Sequence, residues 1–225
     1  NHTELMLKSL NYPIKVQKKA KVDKMFINGL KQFKSFEYNV PGDISSASFF
    51  IVLTLLSKKS QIIIEGVNVN KSRNGIIQIL NKMGANIKLK NKKSYKGEEV
   101  ADIYVRSTSK LNSINCPSKL NSSAIDEFLI IFLVAAKAYG VSKFKDLGEM
   151  NKKESKRLDL AVKFLRLIGI KVQRFGNDIA IHGNPKIILS KKLEMMNFLK
   201  DHRIFFLSCI AALTLGGKWK INDKK

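Results

Sequence analysis

Ser46, Asp126 and Arg203 each open a long apolar stretch, and each lies 14 residues before a small residue (Ser60, Gly140 and Gly217) that closes it. Such stretches read as helices, and helix N-termini leave unpaired N–H groups and a partial positive charge, so several brought together suit a multiply anionic ligand. Simple capping accounts for Asp43, Ser45, Ser46, Ser122 and Ser123, which are preferred N-cap types. Arg203 is different, because the helix dipole opposes a cation at that end. A second group, Lys152-Lys153-Glu154-Ser155-Lys156-Arg157, sets one carboxylate among four cations. Asp126 and Glu154 lie 28 residues apart, so only the fold can bring these two carboxylates together. His2, His182 and His202 have no metal-ligand spacing, and neither a Gly-rich phosphate loop nor a Ser/His/Asp order is present. No cofactor and no metal are expected.

The elements that would position these residues form a repeat. The apolar helices are followed by short strands, Ile62–Ile64, Val141–Phe144 and Trp219–Ile221. The second half of each unit is an amphipathic helix, a turn residue and an alternating strand: Ser72–Met83, Gly84 and Ile87–Leu89, then Glu154–Ile168, Gly169 and Val172. His2–Leu10 followed by Asn11–Val16 matches that half. Each copy closes with a further strand, Lys24–Asn28, Ala101–Arg106 and Asp178–His182. Lys90–Glu99 reads as a polar, Lys-rich loop, a solvated hairpin connection. The order is half a unit (1–39), a full unit (about 40–110), a second (about 115–183) and the start of a third (about 184–225). The fold class is therefore α/β, built from βαβαββ units.

Composition narrows the partners. The 225 residues carry 41 Lys and Arg against 18 acidic residues, a net charge of +23, which raises the question of a polyanionic partner. Only six of the basic residues are Arg, and no short stretch combines several Arg with aromatic residues, so nucleic acid is not expected. The longest apolar runs, Ala47–Leu56, Phe128–Ala136 and Ile204–Leu215, are shorter than a bilayer span, and no membrane association is expected. Cys116 and Cys209 read as two reduced structural thiols, consistent with a cytoplasmic protein.

Six ordered blocks resemble the enolpyruvyl transferases, and within them the EPSP synthase family. Asn1-His2-Thr3-Glu4 is similar to the family's Arg-Asp-His-Thr-Glu block, and Val40-Pro41-Gly42-Asp43-Ile44-Ser45-Ser46-Ala47 to its crossover segment between lobes. Asn70-Lys71-Ser72-Arg73-Asn74-Gly75 with Met83-Gly84-Ala85 resembles its Asn-Pro-Thr-Arg-x-Gly and Met-Gly-Ala pair. Ile125-Asp126-Glu127, Lys153-Glu154-Ser155 with Arg157, and Asp201-His202-Arg203-Ile204 complete the series. Asn151, Lys152 and Lys156, Leu129 and Phe205-Phe206 depart from the family's pattern.

The resemblance implies an inside-out α/β barrel lobe with pseudo-threefold repetition, residues 1–39 ending a first lobe and 40–225 forming most of a second. It implies a monomer that transfers the enolpyruvyl group of phosphoenolpyruvate to the 5-hydroxyl of shikimate 3-phosphate, with release of phosphate, in aromatic amino-acid biosynthesis. By position, Asp126 would accept the hydroxyl proton and hold the shikimate ring, and Lys153 would contact the same hydroxyl. Glu154 would move the proton at the methylene carbon, while Arg157 and Arg203 would clamp phosphoenolpyruvate. A portion lacking the first lobe is expected to be inactive alone. Two alternatives are the sister enzyme acting on UDP-N-acetylglucosamine, whose first-lobe cysteine neither Cys116 nor Cys209 matches, and a basic α/β module binding nucleic acid.

Overall fold

Asp43 starts the first long helix. In the computed structural model, which describes residues 1–18, 23–29, 32, 34–195 and 201–221, its carboxylate accepts the N–H groups of Ser45 and Ser46 and so caps the helix Ile44–Leu56.

 
In chain order that helix is α2, preceded by α1 (His2–Ser9) and the antiparallel hairpin β1 (Ile14–Gln17) and β2 (Lys24–Ile27). After α2 come β3 (Gln61–Asn68), α3 (Gly75–Lys82), β4 (Asn86–Tyr95) and β5 (Glu98–Arg106), whose strands form an antiparallel sheet in the order β3-β5-β4.

The same arrangement follows again. The short α4 (Asn121–Ala124) leads into α5 (Phe128–Ala136), β6 (Val141–Phe144), α6 (Arg157–Leu167), β7 (Val172–Phe175) and β8 (Asp178–His182), with strand order β6-β8-β7. A third copy begins with β9 (Lys192–Glu194), α7 (His202–Leu215) and β10 (Lys218–Lys220). The opening strand of each unit pairs in parallel with the strand after the long helix: Gly42 with Val67, Asn115 with Lys143, and β9 with β10. Parallel neighbours need such a helical crossover. The βαβαββ repeat read from the sequence is thus present, and the fold is α/β with pseudo-threefold repetition. Among the described residues the strands lie in four separate sheets, with no closed barrel.

The long helices form the centre. All nine residues of α5 are buried, as expected of a helix that is apolar all round, and α2, α5 and α7 pack against one another in pairs. Phe128, Phe132 and Phe144 meet with ring centroids 5.0 to 5.9 Å apart. The amphipathic α3 and α6 lie outside them and end alike, at Gly84 and Gly169, both with positive φ (89° and 87°), where the left-handed turn favours glycine. His2 of α1 meets Glu98 of β5 at 2.6 Å, and Asn68 and Asn70 donate to the same carboxylate, which ties the N-terminal half unit to the first full one.

Two expectations need correction. Lys90–Glu99 does belong to a hairpin but is not a long loop: β4 runs on to Tyr95 and turns through Lys96 and Gly97, both at positive φ, directly into β5. The two-residue turn with Gly second has the twist a hairpin needs, and lysines on the exposed strands stay hydrated. The helix expected from Glu154 begins at Arg157, because Gly148–Lys152 forms a 3-10 turn and Lys153–Lys156 an irregular link.

Gly183 marks a tight packing point. It donates to the Gly140 carbonyl, and a Cβ there would overlap the Ala138 carbonyl oxygen and lie 2.8 Å from that of Ala135. Gly183→Ala is expected to cost about 1–3 kcal/mol, read by denaturant unfolding of the full-length protein.

Candidate active site

The N-terminal ends of α2, α5 and α7 meet at one end of the helical core. Ser45, in the first turn of α2, donates to Glu127 at the start of α5 (2.5 Å), and Arg203, in the first turn of α7, donates to the Asp126 carbonyl (3.1 Å). Asp126 sits in the turn between α4 and α5, where it is left outside the helix and its carboxylate faces the neighbouring helix starts.

Four cations surround that carboxylate. Arg73, just before α3, reaches Oδ2 at 3.2 Å; Lys153 reaches Oδ1 at 3.3 Å; Arg157 reaches Oδ1 at 3.2 Å; and Arg203 lies 3.9 Å from Oδ2. Burial alone would raise the Asp126 pKa, but Arg203 and Lys153, with hydrogen bonds from Lys153 and Arg73, outweigh it and hold the group below the usual value. Asp126 is therefore ionised across the neutral range.

Arg157 is the buried member, 2% exposed. Its Nε donates to Asp201 (2.8 Å), its Nη1 to Asp126 and its Nη2 to Glu154. Direct contact between Arg157 and a substrate anion therefore requires one of these carboxylates to move, and Glu154, whose side chain is 60% exposed, is the one free to do so. Asp201 also accepts the Ser155 hydroxyl (2.7 Å) and caps α7 through the Arg203 N–H (2.9 Å). The structure thus gathers Asp126, Lys153, Arg157 and Arg203, and places Glu154 at the rim through Arg157.

Several participants were not singled out from sequence. Arg73 belongs to the Asn70–Gly75 block and Asp201 to the Asp-His-Arg block, so both stood in recognised motifs without an assigned part. Ser45 read as an ordinary capping residue, and Glu127 stood in the Ile125–Glu127 block without an assigned part. Glu127 is nonetheless almost fully buried, and burial raises its pKa against the opposing pull of Ser45, Arg73 and Arg203. Burial likewise pushes the Cys116 thiol up to about 11, in keeping with a structural cysteine.

Among the described residues, no cluster of His, Cys, Asp and Glu could hold a metal ion, and no helix is long and apolar enough to cross a membrane. A cavity of about 790 Å³ lies elsewhere, over the exposed face of the β3-β5-β4 sheet beside Ile63, Lys88 and Tyr104. None of the charged groups around Asp126 lines it. Shape alone would point there, but its lining has cations (Lys88, Lys90 and Arg106) and no carboxylate, so it lacks the paired acid–base and cationic groups that meet at the helix starts.

Comparison with known proteins agrees with the arrangement. The family described as EPSP synthase (3-phosphoshikimate 1-carboxyvinyltransferase) matches residues 1–225. A 3-phosphoshikimate 1-carboxyvinyltransferase of Ruthia magnifica subsp. Calyptogena magnifica is 39% identical over 213 residues, covering 95% of this chain and 47% of the relative. One from Staphylococcus aureus (strain JH9) is 35% identical over 223 residues, covering 99% and 50%. The solved structure of EPSP synthase from Acinetobacter baumannii superposes with a TM-score of 0.84 at 30% identity, covering 96% of this chain and 48% of that one. The chain spans about half the length of the curated relatives it matches. With the repeat, the helix-start charges and these relatives in agreement, the chain belongs to the EPSP synthase family.

Proposed function

We propose that this chain supplies one side of the active site of a cytoplasmic, monomeric enzyme that joins phosphoenolpyruvate to shikimate 3-phosphate, with residues 1–39 ending one lobe and 40–225 forming most of the other. The observation that carries this reading is the convergence of Arg73, Lys153, Arg157 and Arg203 on Asp126. Arg157 and Arg203 lie in the first turns of α6 and α7, where the helix dipoles oppose a cation. Anionic substrates offset that repulsion, and guanidinium groups suit phosphate and carboxylate oxygens.

In the reaction, the 5-hydroxyl oxygen bonds to the enol carbon of phosphoenolpyruvate as its proton passes to Asp126, and a proton is added at the methylene carbon to give a methyl group. Glu154 handles this second proton. The tetrahedral adduct then loses a methyl proton as the carbon–oxygen bond to phosphate breaks, which restores the double bond. Asp126 is a weak base where cations surround it. Binding two polyanions partly neutralises those cations and raises its basicity when it is needed.

Full-length protein given both substrates should release inorganic phosphate and form the enolpyruvyl product, observable by ³¹P NMR. Phosphate release with UDP-N-acetylglucosamine as acceptor, and none with shikimate 3-phosphate, would reverse the assignment.

A further inference from the structure

Two buried groups near Asp126 lack partners in the described structure, and they are complementary. Glu127 is 1% exposed; its Oε1 accepts from Ser45, whose hydroxyl in turn accepts from Arg73 Nη2 (3.1 Å), while its Oε2 has no partner. Arg203 Nε is likewise buried and unpaired. The two side chains are neighbours, with Arg203 Nη1 4.0 Å from Glu127 Oε1. Unpaired buried polar groups are costly, and a donor and an acceptor this close call for an explanation.

Arg203 is loosely held at present. Nη1 bonds to the Asp126 carbonyl at 3.1 Å, whereas Nη2 stands 3.9 Å from the Asp126 carboxylate, beyond hydrogen-bond length. Glu127 is fixed by contrast, because Ser45 and Arg73 secure Oε1 and leave Oε2 as its one open acceptor. A modest rotation of the guanidinium would bring Nε–H onto Oε2. That would leave the Nη1–Nη2 edge free for a bidentate contact with an anion.

We propose that Glu127 is a positioning residue that seats Arg203 through an Nε–H to Oε2 bond when an anion draws the guanidinium edge away from Asp126. Glu127 does not itself touch substrate. The inference rests on the anion-binding reading above and adds to it the residue that orients one of the cations. Glu127→Leu keeps much of the side-chain volume and removes the acceptors, whereas Glu127→Gln keeps one.

In the full-length protein Glu127→Leu should raise the KM for phosphoenolpyruvate about tenfold, with kcat and the KM for shikimate 3-phosphate changed no more than about threefold, and Glu127→Gln should recover most of the loss. An unchanged KM for phosphoenolpyruvate in Glu127→Leu, or an equal effect on all three constants, would overturn it. Crystals of the full-length wild-type protein soaked in inorganic phosphate give a reading that does not depend on turnover. The Nε–Oε2 bond in the phosphate-bound state supports the proposal, and a water between the two groups, or Arg203 unmoved, contradicts it. If the wild type fails to turn over its substrates, the assignment of the reaction is at fault, and the phosphate-bound structure still decides the part played by Glu127.

Discussion

Asp126→Asn should lower kcat by about 10²–10⁴-fold, the range removed when a positioned acid–base group is lost. The substitution preserves shape and one carbonyl oxygen, so only one of the two oxygen positions, Oδ2 facing Arg73 and Oδ1 facing Arg157, each at 3.2 Å, keeps a neutral acceptor. It also removes the negative charge nearest to where an anion would bind. The KM for phosphoenolpyruvate should therefore stay the same or fall while kcat collapses, a separation that general damage to the site would not produce. Steady-state kinetics in both substrates checks this. In the wild type, the acid limb of kcat/KM due to Asp126 should lie below the usual carboxylate range, because Arg203 and Lys153, together with hydrogen bonds from Lys153 and Arg73, more than offset the upward push of burial.

Asp201→Ala should be the most destabilising of the substitutions considered. The Arg157–Asp201 pair is buried on both sides, with side-chain exposures of 2% and 0%. Removing one member of such a pair leaves an uncompensated charge and costs about 3–5 kcal/mol, and loss of the α7 cap adds about 1 kcal/mol. The midpoint of thermal unfolding of the full-length protein should drop by roughly 10 °C. Asp201→Asn, which keeps an acceptor for the Arg203 N–H, should fall less. The Asp201 pKa is lowered in the fold: burial raises it, but Arg157 and Ser155, with the Arg203 N–H, outweigh that effect. Its contribution is present above the unfolded carboxylate pKa and is lost as pH falls through the depressed folded value. The gap between wild type and Asp201→Asn should therefore narrow in acid, and a gap that widened there would contradict this role for the pair.

The repeat was legible because each long helix is apolar and each amphipathic helix ends at a turn residue, both of which are local patterns. The hairpin between β4 and β5 was legible too, but not how far its strands run, since lysines on exposed strands look the same as lysines in a loop, and only the Lys96-Gly97 turn distinguishes them. Asp126 and Arg203 could be found because the repeat put both at the start of a long helix. The Ser45–Glu127 bond could not, because it spans 82 residues and Ser45 has a sufficient local explanation as a capping residue. Arg73 reaches Asp126 across 53 residues, and nothing in the turn that carries it signals that contact. Arg157 was expected to clamp a substrate. Its burial among three carboxylates is a property of the assembled site that no linear pattern encodes.

A crystal structure of the full-length protein with shikimate 3-phosphate and phosphoenolpyruvate bound is the most direct measurement. The account predicts anionic oxygens within hydrogen-bond reach of Lys153, Arg203 and Arg73, and the 5-hydroxyl against Asp126. Substrates bound away from these side chains, for instance in the cavity beside Lys88 and Tyr104, would contradict it.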